Sequence, residues 1–302
     1  MGITIWPVTE QFAAEVGDID LSWALSDDDF RIVEDAFERY AVLVFPDQKI
    51  SNDRQIAFAR RFGPMERSIG ADLDKLRQRR LPPELVDVSN LDARGEIVPA
   101  DDRLLLINLG NQLWHTDSSF KQVPGKASLL YMRSVAQTGG QTEFADLRAA
   151  WDALPDALQR KAEGRVAEHA NAYSRARARI GFGISPREQQ VLKPVQQALV
   201  RNHRASGRKS LYLGSHAGRI VGMSDQAGTA LLDELTAFAT QCQFVYSHRW
   251  RADDLVLWDN RCTLHRGRRF DDRRWRRDGR RATVSDVANT LEQEGIRAQV
   301  VG

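Results

Sequence analysis

Trp258-Asp259-Asn260-Arg261-Cys262-Thr263-Leu264-His265, read together with Trp114-His115-Thr116-Asp117, is the part of this chain that decides how the rest is understood. The two stretches supply two histidines and one carboxylate, the ligand set of an open mononuclear iron(II) site. Side-chain direction in a strand repeats every two residues, so an extended His115-Thr116-Asp117 would offer both end residues to a single ion. His265, from a distant strand, would complete the triad. Three protein ligands leave the other positions on the metal free for a bidentate cosubstrate and dioxygen, as a non-haem iron(II) oxygenase requires. A lone H-x-D recurs by chance. Here the tract Gly139-Gly140-Gln141-Thr142-Glu143-Phe144 follows it, and an arginine-dense segment follows His265.

The bulk numbers agree with an enzyme and select little alone. The 302 residues are enough for a large core, and we take 1–302 as one domain. With 42% hydrophobic and 28% charged residues the composition is that of an ordinary soluble protein. A net charge of +2, from 43 basic and 41 acidic residues, gives no reason to expect nucleic acid as a partner. No apolar stretch is long enough to cross a bilayer, and MGITIWPVTEQF lacks a basic segment leading into an apolar run. A cytoplasmic protein without a membrane partner is expected. Cys242 and Cys262 read as reduced thiols; Cys262, three residues before His265, resembles half a zinc site, but no second Cys/His pair has zinc-like spacing.

Along the chain, helices come first and strands dominate later. Ser26 is a plausible cap for a helix carrying Phe30, Val33, Phe37 and Tyr40 on one face, and Ala41 to Phe45 suits a buried strand closed by Pro46. Ser51 starts a second helix with Ile56, Phe58 and Phe62, ended by Gly63-Pro64. Residues 66–103 and 174–194 are weakly patterned and serve as candidate lid segments, with one possible strand at Leu85 to Val88. Strands are expected at Leu104 to Asn108, Ser128 to Val135, Val195 to His203, Gln243 to Trp250, Leu255 to Asp259 and Arg281 to Val287. Ser224 caps a last helix, Asp225 to Thr240. Many short strands with helices outside them point to a mainly β sandwich or rolled barrel.

From Arg266 to Arg281 there are nine arginines and three aspartates. If the segment is extended, Arg277 and Arg281 share a face with Cα atoms about 13 Å apart, far enough to hold two different anions, while Arg276 and Arg280 point the other way. The planar guanidinium fork suits a carboxylate. Most of the nine are read as a solvated edge; a nucleic-acid patch is disfavoured by the near-neutral total charge.

The stretches NQLWHTDSSF, GGQTEFADLRAAWDALP, LVRNHRASGRKSLYLGSHA, FVYSHRWRADDLVLWDNRCTLHRGRR and RRDGRRATVSD resemble the iron(II)/2-oxoglutarate-dependent dioxygenases of the taurine and 2,4-dichlorophenoxyacetate type, the phenoxyacetate branch above all. The resemblance runs from about Phe12 to Val287. It implies a double-stranded β-helix (jelly roll, cupin-like) with flanking helices, and a homo-oligomer. His115, Asp117 and His265 match the iron ligands; Thr142 and Arg277 match the residues that hold the distal carboxylate of 2-oxoglutarate. Arg281, followed by Ala282-Thr283, matches the arginine that takes the substrate's anion. Relative to the family's spacing one residue is inserted between His265 and this strand, so Arg276 and Arg280 stay open as the alternative pair. His216 matches a histidine near the aryloxy substrate, and Asn111 a polar position beside cosubstrate and substrate. His203 has a family counterpart, and with His169 and His248 it is assigned to structure.

The cofactors implied are Fe(II), 2-oxoglutarate and O2, with ascorbate as a supporting reductant, and the substrate is a small carboxylic acid. For a phenoxyacetate-like acid the implied products are a phenol, an oxo acid, succinate and CO2. The alternatives are a taurine, alkylsulfonate or sulfate ester dioxygenase on the same iron site, and a non-catalytic metal or 2-oxoglutarate binding module. A lysine that binds the substrate carboxylate in the phenoxyacetate enzymes would fall near Ile69-Gly70, where this chain has none.

Overall fold

In the computed structural model, which describes residues 2–67, 80–180 and 193–298, two short strands, β1 (Thr4–Pro7) and β2 (Ala14–Gly17), pair antiparallel ahead of the first helix. Helix α1 (Asp27–Tyr40) begins where the Ser26 side chain accepts from Asp29 N, and it buries the expected face of Phe30, Val33, Phe37 and Tyr40. Ala41 ends it in the left-handed region, φ 59°, and the chain enters β3 (Val42–Phe45). Ser51 caps α2 (Asn52–Arg60) in the same manner. Then come β4 (Leu85–Ser89), α3 (Arg103–Asn108) running into a single 3-10 turn at Leu109–Gln112, β5 (Gly125–Ser134) and β6 (Thr142–Asp146).

The Asp146 carboxylate caps α4 (Leu147–Ala153) by accepting from the N–H groups of Arg148 and Ala149. It is followed by α5 (Asp156–Ala162), β7 (Val166–His169), α6 (Asn171–Arg177), β8 (Val195–Ala198), β9 (Val200–His203), β10 (Arg208–Leu211) and β11 (Ala217–Ile220). The chain closes with α7 (Asp225–Ala239), β12 (Val245–His248), β13 (Leu255–Asp259), β14 (Thr263–Gly267), β15 (Asp278–Ser285) and α8 (Thr290–Glu294). The described residues thus hold fifteen strands and eight α-helices, a mixed architecture rather than a mainly β one.

Seven strands form the principal sheet in the order β1-β2-β3-β13-β5-β15-β4, and β12-β6-β14 form a second. Period-two alternation explains the layering. Leu43 and Phe45 of β3, Leu129 and Tyr131 of β5, and Leu255 and Leu257 of β13 pack with α1 and α2. Their neighbours Val42, Val44, Leu130, Met132, Val256 and Trp258 turn to the other face and pack with Phe144 of β6 and Trp250. Central strands buried on both faces are continuously apolar, as VLVF and LVLW show. A third cluster fills the space around α4, α7, β7, β10 and β11.

Two strand expectations fail. Leu104 to Asn108 is helical: an apolar run this short reads equally as strand or buried helix, and the Asp102 carboxylate accepts from Leu104 N at 2.7 Å as a helix start. Val195 to His203 splits at Leu199, because β8 pairs with β7 while β9 pairs with β10. Of the first candidate lid, 85–89 is a sheet strand paired with β15, and 68–79 lies outside the described residues; of the second, 181–192 does as well. No described helix is long and apolar enough to cross a membrane.

Candidate active site

His115 is not within a strand. It makes an isolated antiparallel bridge with His265 of β14, each N–H donating to the other's carbonyl at 3.0 and 2.8 Å, and Asp117 begins the turn that follows. The bridge sets the two imidazoles together, with ring centroids 4.1 Å apart. His115 Nε2 lies 3.9 Å from Asp117 Oδ1 and His265 Nε2 lies 3.8 Å from Asp117 Oδ2. One ligand atom from each residue lies within 4.8 Å of the others, a spacing that a single ion bonded at about 2.1 Å to each closes with small side-chain rotations. All three residues are buried.

The local backbone explains the approach. Gly214, at φ +118°, lies against the ligand loop: a Cβ there would meet Leu264 Cδ2 at 2.8 Å and the His115 Cα at 3.2 Å, and Ser215 N donates to Trp114 O at 2.8 Å. The Nδ1–H of His115 donates to Leu113 O at 2.7 Å, which leaves Nε2 with its lone pair toward the site. Burial pushes the pKa values of His115 and His265 below the ordinary range, so both imidazoles are neutral, as metal ligation requires. Burial would raise the Asp117 carboxyl, but the Arg281 guanidinium above all, with the Ser128 hydroxyl bonded to the carboxylate, outweighs that and holds it at about 2. Two neutral nitrogens and one carboxylate fit an iron(II) ion.

Beside the triad opens a cavity of about 380 Å³ whose lining includes His115, His265, Thr142, Arg277, Arg281 and Asn111. Six of the eight residues named from the sequence therefore face one space, and Asp117 reaches it through its ion pair with Arg281, Nη1 to Oδ1 at 2.7 Å. His216 does not line the cavity; it stands edge-on behind His115 at 6.1 Å and against Phe120 at 4.7 Å, with burial lowering its pKa to about 3. The residue near Ile69-Gly70 where a lysine was sought lies outside the described residues.

The arginines of β15 and of the segment just before it turn to different surroundings. Arg280 turns to the helices, its guanidinium donating to Gln55 Oε1, Asn52 Oδ1 and Ile50 O, and Arg276 pairs with Glu96. Neither reaches the cavity, so the alternative pair is set aside in favour of Arg277 and Arg281. Among the described residues no carboxylate meets the Arg277 side chain, and its loss of hydration lowers its pKa to about 10. A desolvated cation in that state calls for an anion. Thr142, at the start of β6, accepts from Trp250 Nε1 at 2.9 Å, which leaves its own hydroxyl proton for a ligand in the cavity.

The sequence did not point to several contributors. Asn90 accepts from Arg277 N at 2.8 Å and donates to Asp272 O and Trp275 O, so it fixes the loop that delivers Arg277. Leu105, from the segment expected as a strand, and Leu109, just after it, form part of the cavity wall with Val88 and Leu130. The remaining histidines are placed as structural: His203 bonds Asp259 at 3.0 Å, His248 bonds Asp254 at 3.1 Å, and His169 stacks on Tyr212. Cys262 and Cys242 are both free. The Cys262 thiol lies near His203 and Asp259, yet that carboxylate is already bound to Arg261 and His203, and burial holds the thiol protonated.

The family model described as taurine catabolism dioxygenase TauD, TfdA family matches residues 4–283. An alpha-ketoglutarate-dependent 2,4-dichlorophenoxyacetate dioxygenase of Cupriavidus pinatubonensis is 45% identical over 289 residues, covering 95% of this chain and 99% of that one. An (S)-phenoxypropionate/alpha-ketoglutarate-dioxygenase of Delftia acidovorans is 36% identical over 282 residues, covering 89% and 90%. A solved structure of AAD-2 in complex with Mn(II) and N-oxalylglycine superposes with a TM-score of 0.91 at 48% identity, covering 96% and 100% of the two chains.

Proposed function

This chain belongs to the taurine catabolism dioxygenase TauD, TfdA family, and from that premise we propose its substrate class and the role of each residue in the cavity. It is an iron(II)- and 2-oxoglutarate-dependent dioxygenase. The substrates we assign to it are aryloxyalkanoic acids of the 2,4-dichlorophenoxyacetate kind, hydroxylated at the carbon next to the ether oxygen, so that the hemiacetal collapses to a phenol and an oxo acid. The observation that carries this reading is the adjacency of three elements: the His115, Asp117 and His265 donor atoms, an arginine without a carboxylate, and an apolar cavity wall.

When bound, iron(II) and 2-oxoglutarate together activate dioxygen and oxidise the substrate C–H bond, releasing succinate and CO2. His115, Asp117 and His265 would hold the iron. Arg277 and the Thr142 hydroxyl would take the distal carboxylate, which neutralises a cation that burial otherwise destabilises. Arg281 already spends one Nη1 donor on Asp117, while its Nε has no partner among the described residues, so its fork can hold the metal's carboxylate and the substrate's carboxylate at once. That bridge would set which carbon faces the oxidant. Leu105, Leu109, Val88 and Leu130 offer an aryl ring the apolar contact that a small sulfonate does not need. Asn111, which donates to Asn108 Oδ1 at 3.2 Å, would contact cosubstrate and substrate, and His216 would support the His115 ring from behind.

The two facing sheets are read as a double-stranded β-helix within one domain, and the protein as a cytoplasmic homo-oligomer. The test is oxygen uptake with iron(II), ascorbate and 2-oxoglutarate across 2,4-dichlorophenoxyacetate, both enantiomers of its propionate analogue, and taurine, with phenol release followed in parallel. Uptake coupled to phenol release is expected; uptake with taurine alone would move the assignment to sulfonates.

A further inference from the structure

Behind the Asp117 carboxylate stands a chain of two neutral, fully buried side chains that the reading above leaves without a role. Asn260 occupies the turn between β13 and β14. Its Oδ1 accepts from the backbone N–H of Asp117 at 3.2 Å and from the indole Nε1 of Trp258 at 3.0 Å. Its Nδ2 donates to Ser128 Oγ at 2.9 Å, and Ser128, on β5, donates to Asp117 Oδ2 at 2.7 Å. The turn itself is fixed by Thr116 Oγ1 donating to Asn260 O at 2.8 Å and by Asn260 N donating to Lys126 O at 2.9 Å.

The polarity of this chain has one solution. Two N–H donors converge on one end of the Asn260 amide, so that end is the carbonyl oxygen and the NH2 end must face Ser128. Ser128 Oγ then receives a proton from Asn260 and has its single hydroxyl proton left for Asp117. Thr283 Oγ1, at 3.4 Å, is the other group near that hydroxyl. On the opposite side Arg281 draws Asp117 Oδ1 to 2.7 Å. A guanidinium fork favours a carboxylate that presents both oxygens to it. The Ser128 proton on Oδ2 opposes that rotation and keeps the carboxylate turned toward the two imidazoles.

We propose that Asn260 is a positioning residue for the metal site. Through Ser128 it fixes the rotation of the Asp117 carboxylate against the pull of Arg281. Through the Asp117 N–H and the Trp258 indole it also sets the ligand loop against the hairpin that carries His265, since Trp258 packs on the His265 ring at a centroid distance of 4.7 Å. The inference rests on His115, Asp117 and His265 being the metal ligands. Outer-shell groups of this kind typically govern metal affinity by 10- to 100-fold.

Two single variants and their combination test it on the intact chain. Asn260→Asp can still accept from Asp117 N and Trp258, but it takes the Ser128 proton for itself; Ser128→Ala deletes the last link and leaves the turn untouched. Mn(II) affinity by calorimetry, the visible absorption of the Co(II)-loaded protein, and the melting of the metal-free protein are compared. Each single variant should bind Mn(II) about 10- to 100-fold more weakly and shift the Co(II) spectrum, with metal-free Ser128→Ala melting close to wild type. The double variant should lose no more than the worse single one, because both break the same link. Asp117→Asn serves as the control. If it binds Mn(II) like wild type, the ligand assignment fails and this inference with it. If it does not bind, but Ser128→Ala and Asn260→Asp keep wild-type affinity and spectrum, the positioning role alone is overturned, as it also is by additive losses in the double variant.

Discussion

Replacing Arg277 by methionine should make the metal-free protein more stable and the enzyme far worse at holding 2-oxoglutarate. The guanidinium meets no carboxylate among the described residues, and burial lowers its pKa from the ordinary arginine range to about 10. At about 1.4 kcal/mol per pKa unit, the charged form costs the fold on the order of 3 kcal/mol, an upper bound because the side chain keeps some access to the cavity. Methionine matches the length of the stem, keeps the contact with Phe270 and removes the charge. Urea unfolding of the metal-free variant at pH 7 should therefore show a gain of about 1–3 kcal/mol. Once an anion occupies the cavity the sign reverses. Loss of one partner of a buried, hydrogen-bonded charge pair costs about 2–5 kcal/mol, so 2-oxoglutarate should bind the Mn(II)-loaded variant about 30- to 5,000-fold more weakly in a calorimetric titration. A variant that is both less stable and unchanged in 2-oxoglutarate affinity would refute the reasoning, because the arginine would then be a structural cation with a partner inside the fold.

Other expectations follow from single contacts. Gly214→Ala forces a side chain onto a φ of +118° and into Leu264 and the His115 backbone, so it should cost about 1–3 kcal/mol and weaken Mn(II) binding as well; melting and metal titration read the two effects. Trp250→Phe removes the N–H that Thr142 Oγ1 accepts, and should weaken 2-oxoglutarate by about 5- to 10-fold with a stability loss of about 1 kcal/mol. His169 is fully buried, its ring makes no hydrogen bond among the described residues, and burial pushes its pKa from 6.5 to about 3. The folded state therefore keeps it neutral while the unfolded chain takes up a proton below pH 6.5, so its contribution is intact above pH 6.5 and falls by about 1.4 kcal/mol per unit as the pH drops toward 3. Relative to wild type, His169→Leu should lose about 2 kcal/mol less stability between pH 7 and pH 5 in urea melts; an unchanged pH slope would mean that the imidazole has a polar partner after all.

The parts of the site that were legible in the sequence are those whose signal is local. His115 and Asp117 are two residues apart, and the alternation of β15 separates Arg281 from Arg280, although His115 and Asp117 sit in a bridge and a turn rather than in the strand expected, and Arg276 and Arg277 precede β15. Capping made α1, α2 and α7 readable from Ser26, Ser51 and Ser224. What could not be read depends on partners far along the chain. Trp250 is 108 residues from Thr142 and Asn260 is 132 residues from Ser128, and neither spacing leaves a trace in the pattern. The same holds for β8 and β9, whose separation follows from their pairing with different strands, and for α3, whose apolar run fits helix and strand equally.

Strand β15 shows why the chemistry and the stability of this fold are hard to alter separately. Its outward residues, Arg280, Ala282 and Val284, pack with α2 and the main core, Arg280 through three hydrogen bonds to the α2 region. Its inward residues include Arg281, on the Asp117 carboxylate, and Thr283, beside Ser128. The two sets interleave one residue at a time, so a register slip of one position would place Arg280 against Asp117 and drive Arg281 into the helix-facing core. Gln55 opposes that slip, because its Oε1 accepts from Arg280 Nε and its Nε2 donates to the carbonyls of both Arg280 and Leu129, tying β15 to β5 in one register. A single polar side chain on an outer helix thereby holds the strand in the position at which Arg281 meets the Asp117 carboxylate.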